Sequence, residues 1–207
     1  MAPSRQIRSA LRAIAAVILL VIASGPATPV RVSADSPNEV FSIPAPTIAV
    51  RPNARLEEAV LQWLNDMRVG QHLRPLQVDV MLRAIARAYG QEMFEHGYLS
   101  HVSRDGRTLE DRLGGRGLRF NVVGENLAYA PDIRAADLAL WQSAPHRRNI
   151  MYPAFRAVGI AVIDGRDDGV IVVEDFSDTS PAVETAGQAS IAAGGRAGGG
   201  RTGAPRP

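Results

Sequence analysis

Two apolar runs near the C-terminal end of the chain constrain its fold more than anything else. They are FRAVGIAVI (155–163) and VIVVEDF (170–176), joined by DGRDDG. Turn residues between two such runs predict a hairpin of two antiparallel strands. In the first run Val158, Ile160 and Val162 fall on one face, and Ala157, Gly159, Ala161 and Ile163 on the other. A solvated sheet face would carry polar residues at every second position. Neither face does, so both must be covered.

The covers are legible upstream. Leu56, Val60, Trp63/Leu64 and Met67 recur at helical spacing, with Asn53 placed to cap the first turn. Asp79 can cap a second helix carrying Leu82, Ile85/Ala86, Tyr89 and Met93. A glycine-bounded loop follows over 97–107. Thr108 then starts a short helix (TLEDRL), residues 120–129 read as a strand, Ile133 to Trp141 as a third helix, and Pro145 opens a short helical turn. Helices before, between and around the strands predict an α+β domain, an α-β-α sandwich with a small antiparallel sheet between helical layers.

The ends of the chain read differently. Arg5, Arg8 and Arg12 precede an unbroken apolar run from Ala13 to Ala23. As a helix that run spans about 17 Å, against roughly 30 Å for a hydrocarbon core. Residues 1–34 are therefore expected to be a signal peptide, cleaved after Gly25 or Ala34, rather than a membrane anchor. Cleavage after Ala34 removes Arg31 as well and turns the formal net charge of +2 slightly negative. Residues 35–52, with Pro37, Pro44, Pro46 and Pro52, are expected to be an extended linker. Residues 179–207, rich in Gly and Ala and free of aromatics, are expected to be a disordered tail. The folded domain is then 53–178. The chain has no cysteine, which excludes disulfides, thiolate zinc sites and a cysteine nucleophile. With 23 basic against 21 acidic residues, no nucleic-acid partner is expected.

One polar residue does not fit its surroundings. By period 2, Val123, Glu125, Leu127 and Tyr129 point the same way, so Glu125 is a carboxylate on an apolar face. Buried alone it would be costly, and it needs a cation, a donor or a metal. His101, in the loop GYLSHVSRDG, and His146, in the turn after Pro145, are the candidate partners. Two imidazoles and a carboxylate make a first shell for Zn²⁺ with an open position. A His–Glu hydrogen bond that only fixes a loop is the competing reading, since the separations carry no metal-binding signature.

The order of motifs resembles the CAP superfamily, or SCP domain, and most closely its small, cysteine-free bacterial secreted branch. The matching text is LNDMR with Asn65 and Arg68, LRPL at 73–76, the helix from Asp79 to Met93, GYLSHVSRDGRTLEDRL, GENLA at 124–128, Trp141, PHRRNIM at 145–151, and the two final strands. The resemblance implies a cleft holding two histidines and one or two acids, in some members with zinc or another divalent cation. By motif these are His101, Glu125 and His146, with His101 and His146 as metal ligands. The position of a second glutamate in eukaryotic relatives is Ala144 here. His72 replaces a frequent Gly, and Glu174 stands where an uncharged residue is common.

Other residues are weaker candidates. Asn126 is expected to brace a loop at the cleft, Trp141 to be core, Arg112 to pair locally, and Glu110 is a remote stand-in for the missing acid. Ser100 and Ser103 flank His101, but no GxSxG elbow exists. Two function classes remain. One is a secreted binding module for a cell-envelope, lipid or host-surface ligand. The other is a metal-dependent hydrolase using His101, Glu125 and His146, with Glu125 the candidate base. A monomer without a stable transmembrane span is expected in either case.

Overall fold

The computed structural model describes residues 39–180 and, as a backbone strand, residues 31–33. The charged and apolar run read as a signal peptide, and the tail beyond residue 180, lie outside the described residues. The elements in order are β1 (Arg31–Ser33), β2 (Phe41–Ser42), β3 (Arg51–Pro52), α1 (Ala54–Gly70), β4 (Gln77–Val78), α2 (Val80–Glu95), β5 (Tyr98–Leu99), α3 (Leu109–Gly114), β6 (Val123–Ala130), α4 (Ile133–Gln142), α5 (Ala144–Ile150), β7 (Ala157–Asp164) and β8 (Val170–Ser177).

The caps sit where the side chains dictate. Asn53 accepts from the Leu56 N–H, and Asp79 from the N–H groups of Met81 and Leu82. Thr108 and Asp111 form a reciprocal capping box on α3. Each supplies an acceptor to donors that have no partner inside the first helical turn.

A six-stranded sheet runs β1-β6-β8-β7-β3, with β4 also on β7. All pairings are antiparallel except that of β4. Both faces of the β7–β8 hairpin are covered. Val158, Ile160 and Val162 pack with Val172 and Phe176 under α1, α4 and α5, through Val60, Leu64, Ala136, Leu140 and Ile150. Ala161, Ile163, Ile171 and Val173 pack under α2, through Ala86, Tyr89, Met93 and Phe94. α3 closes the same face through Leu109 and Leu113. The fold is thus an α-β-α sandwich.

Gly159 sets the spacing of the α2 layer. A Cβ there would lie 2.2 Å from the backbone carbon of Leu82, so α2 meets β7 main chain to main chain.

Two features depart from the sequence reading. The proline-rich stretch is docked rather than free over its described part: β2 pairs with β5, β3 pairs with the end of β7, and Ile43 and Val50 are buried. Proline tolerates this because edge strands leave one N–H side unpaired. Also, Arg31–Ser33, within the segment read as signal peptide, pairs with Leu127–Tyr129 and so covers the outer edge of β6. Among the described residues no helix is long and apolar enough to cross a membrane.

Candidate functional site

The site forms where the loop after β5, helix α3 and strand β6 converge. β5 is buried and tied to β2, which anchors the start of the loop. The Tyr89 hydroxyl, on α2, donates to the Ser100 carbonyl at 2.5 Å. Ser103 closes the following turn by bonding Asp105 and Arg107. His101 projects from this braced segment.

His101 Nδ1 lies 2.8 Å from Glu125 Oε1. A carboxylate only accepts, so Nδ1 carries the proton. The other oxygen, Oε2, accepts from the Arg112 guanidinium. Arg112 lies face-on over Tyr89, 3.7 Å from the ring centre, and donates to the carbonyls of His101 and Arg107. Its expected local pairing is therefore only part of its role. Its ionic partner is Glu125, across the cleft, because α3 is pinned by Leu109 and Leu113 with Arg112 turned toward β6. Burial opposes the charge of Arg112, but Glu125 and Asp175 outweigh it and raise its pKa.

Asp175 is a member of the site that sequence reasoning missed. In the β6–β8 register it stands directly opposite Glu125 and is fully buried. Among the described residues no donor reaches either of its oxygens. Burial first, then the Glu125 charge, hold its pKa well above the carboxylate range, opposed by Arg112. The shift favours the protonated form of Asp175 beside Glu125. The signal was available: Glu174 and Asp175 are adjacent acids in a strand with no polar face.

The neighbouring pair in the same register, Asn126 opposite Glu174, faces the other helical layer. Asn126 Nδ2 donates to Glu174 Oε2 at 2.8 Å and to the His146 carbonyl at 3.3 Å. Asn149 donates to Asn126 Oδ1 and to the Glu125 carbonyl. These bonds clip α5 to β6. His146 is buried on α5, with Nδ1 2.8 Å from Ser143 Oγ. Burial raises the Glu174 pKa to about 8, against the Asn126 hydrogen bond and with the Asp137 charge.

A cavity of about 190 Å³ opens on the His101–Glu125 pair, lined also by Thr108, Leu109, Glu110, Val123 and Gly124. His146 is not among its lining residues. Ala144 lines a different cavity of about 530 Å³ with Trp141, Arg147 and Arg148. Trp141 packs edge-on against Trp63 at the border of the core.

Residues 49–176 match the sequence profile of the cysteine-rich secretory protein family, CAP. The chain belongs to this family. Among its relatives is YkwD of Bacillus subtilis, 30% identical over 109 residues, which are 52% of this chain and 42% of YkwD. An extracellular SCP-domain protein of Bacillus anthracis superposes with a TM-score of 0.55 at 26% identity, over 60% of this chain and 40% of that one. An outer surface protein of Borrelia burgdorferi gives a TM-score of 0.56 at 20% identity, over 59% of this chain and 92% of that one, a likeness of fold. The chain spans less than half the length of the Bacillus relatives it matches.

The CAP family implies a metal in some members, and the geometry tests that. Among the described residues no three or more His, Cys, Asp and Glu side chains converge as metal ligands. Both oxygens of Glu125 are engaged, one of them by a cation. The shell of His101, Glu125 and His146 expected from the sequence does not fit this arrangement.

Proposed function

We propose that this chain is a secreted CAP-domain binding module whose cleft takes a small hydrogen-bonding group of its ligand. The observation that carries the reading is the locked state of Glu125. One oxygen orients His101 and the other holds Arg112, so the carboxylate positions rather than reacts. A ligand would meet His101 in the wall of a cavity of about 190 Å³ rimmed by Thr108 and Glu110. No serine beside His101 is arranged as a nucleophile: Ser100 Oγ is buried and accepts from Val102, and Ser103 Oγ donates to Asp105. Export is supported by Arg5, Arg8 and Arg12 before their apolar run and by the extracellular relative. The ligand would be a component of the cell envelope or a host surface.

The test is an amide NMR titration of the full chain with peptidoglycan fragments and, separately, with anionic phospholipid vesicles. Shifts confined to residues 101–110 and 123–126, lost in His101→Ala, are expected with one of the probes. Silence at those residues with both counts against the reading.

One observation favours a second reading, hydrolysis. The His101–Glu125 bond is the base–orienter half of a catalytic constellation. In that case His101 would activate water and Glu125 would hold its tautomer. Turnover of ester or peptide substrates that drops at least about 100-fold in Glu125→Gln would support it. Turnover indifferent to that change would remove it.

A further inference from the structure

We infer that Arg112 is the resident cation of this cleft: its guanidinium fills the electrostatic place a divalent metal would take at Glu125, and the His101–Glu125 pair is built to work without a metal. The guanidinium is held at both terminal nitrogens and over one face, and its buried Nε has no hydrogen-bond partner among the described residues. It caps Oε2 of Glu125, lies 3.7 Å from the Tyr89 ring centre, and reaches the carbonyls of His101 and Arg107. Its side chain is 7% exposed and that of Glu125 4%, so the pair is largely screened from solvent.

Glu125 and Arg112 form the ion pair of the cluster, and Asp175 stands opposite Glu125 with neither of its oxygens hydrogen-bonded among the described residues. A dication bound to Glu125 would have two choices. It could displace the guanidinium, leaving a buried arginine without its anion. Or it could bind beside the guanidinium and meet a like charge in a poorly screened site. Both choices oppose binding, and α3 itself is fixed by Leu109 and Leu113 in the core. A metal at this cleft thus meets a pre-installed competitor that is part of the fold.

Calorimetric titration of the full chain with zinc chloride tests this, in the wild type, His101→Ala and Arg112→Gln. Wild type and His101→Ala are expected to give the same weak heats, from other surface groups. Arg112→Gln, checked for folding by circular dichroism, is expected to gain at least about tenfold in zinc affinity. Saturable one-to-one binding by the wild type, sub-millimolar and lost in His101→Ala, overturns the inference. So does a folded Arg112→Gln protein that titrates like the wild type. If Arg112→Gln does not fold, the comparison of wild type with His101→Ala decides alone. Zinc titration reads the charge at Glu125 and not ligand recognition, so this inference and the binding-module reading fail independently.

Discussion

Arg112 and Glu125, thirteen residues apart on α3 and β6, form a buried ion pair that closes the back of the cleft. Glu125 has a second partner in His101, and Arg112 a second face on Tyr89. The pair therefore ties three elements together: the loop after β5, α3 and the sheet.

Removing one partner of such a pair leaves an uncompensated charge in the interior. Arg112→Gln is expected to lower stability by about 3 kcal/mol, read by urea denaturation. In a double-mutant cycle with Glu125→Gln the two losses should be strongly non-additive. Simple additivity would mean that the two side chains do not act on each other.

Arg68 is a second buried guanidinium, and it has carbonyls instead of a carboxylate. It donates to the backbone oxygens of Arg74, Ile150, Tyr152 and Phe155, so it fastens the end of α1 to the segment after α5. Burial lowers its pKa. Arg68→Met should strand those carbonyls and cost on the order of 3 kcal/mol or more. Arg68→Lys should recover only part, since an ammonium lacks the planar fork. Thermal or urea unfolding of both variants measures this, and equal stability of Arg68→Met and wild type would refute it.

Gly159→Ala places a methyl group into the backbone of Leu82 and Arg83. The neighbouring atoms are main chain, so α2 itself must move. A loss of about 2 kcal/mol or more is expected. The displacement should also reach the site, because Tyr89 on the same helix supports Arg112. Amide shift changes near His101 in the variant would register it.

Glu174 and Asp137 give the fold a pH dependence of defined sign. Burial, with the Asp132 charge, raises the pKa of Asp137 to about 7, and Glu174 is raised to about 8. Ordinary values are 3.8 and 4.5. Between those limits the native state keeps protons that the unfolded chain has released, so stability falls as pH rises. From about pH 5 to about pH 8 the loss is expected to reach a few kcal/mol. Glu174→Gln should flatten the slope. A slope unchanged by that substitution would show that Glu174 ionises without cost.

The hairpin 155–176, the caps at Asn53, Asp79 and Thr108 and the apolar stripes of the helices were readable along the chain. Each depends on residues a few positions apart. The two-sided sheet followed from an alternation with no polar member, and Glu125 stood out by the same alternation. The strand at Arg31–Ser33 and the docking of 39–52 were not readable, because edge pairing depends on a partner strand far away in the chain.

The inner workings of the cleft were decided in three dimensions. The residues around Glu125 come from α2, the loop after β5, α3 and β8, and no local pattern says which of several arginines reaches it. Strand register has the same character. Pairing of β6 with β8 sets Asp175 opposite Glu125 and Glu174 opposite Asn126. A slip by one residue would exchange the two acids between opposite faces of the sheet. Local chemistry chose the elements of this chain, and long-range packing chose the neighbours of the His101–Glu125 pair.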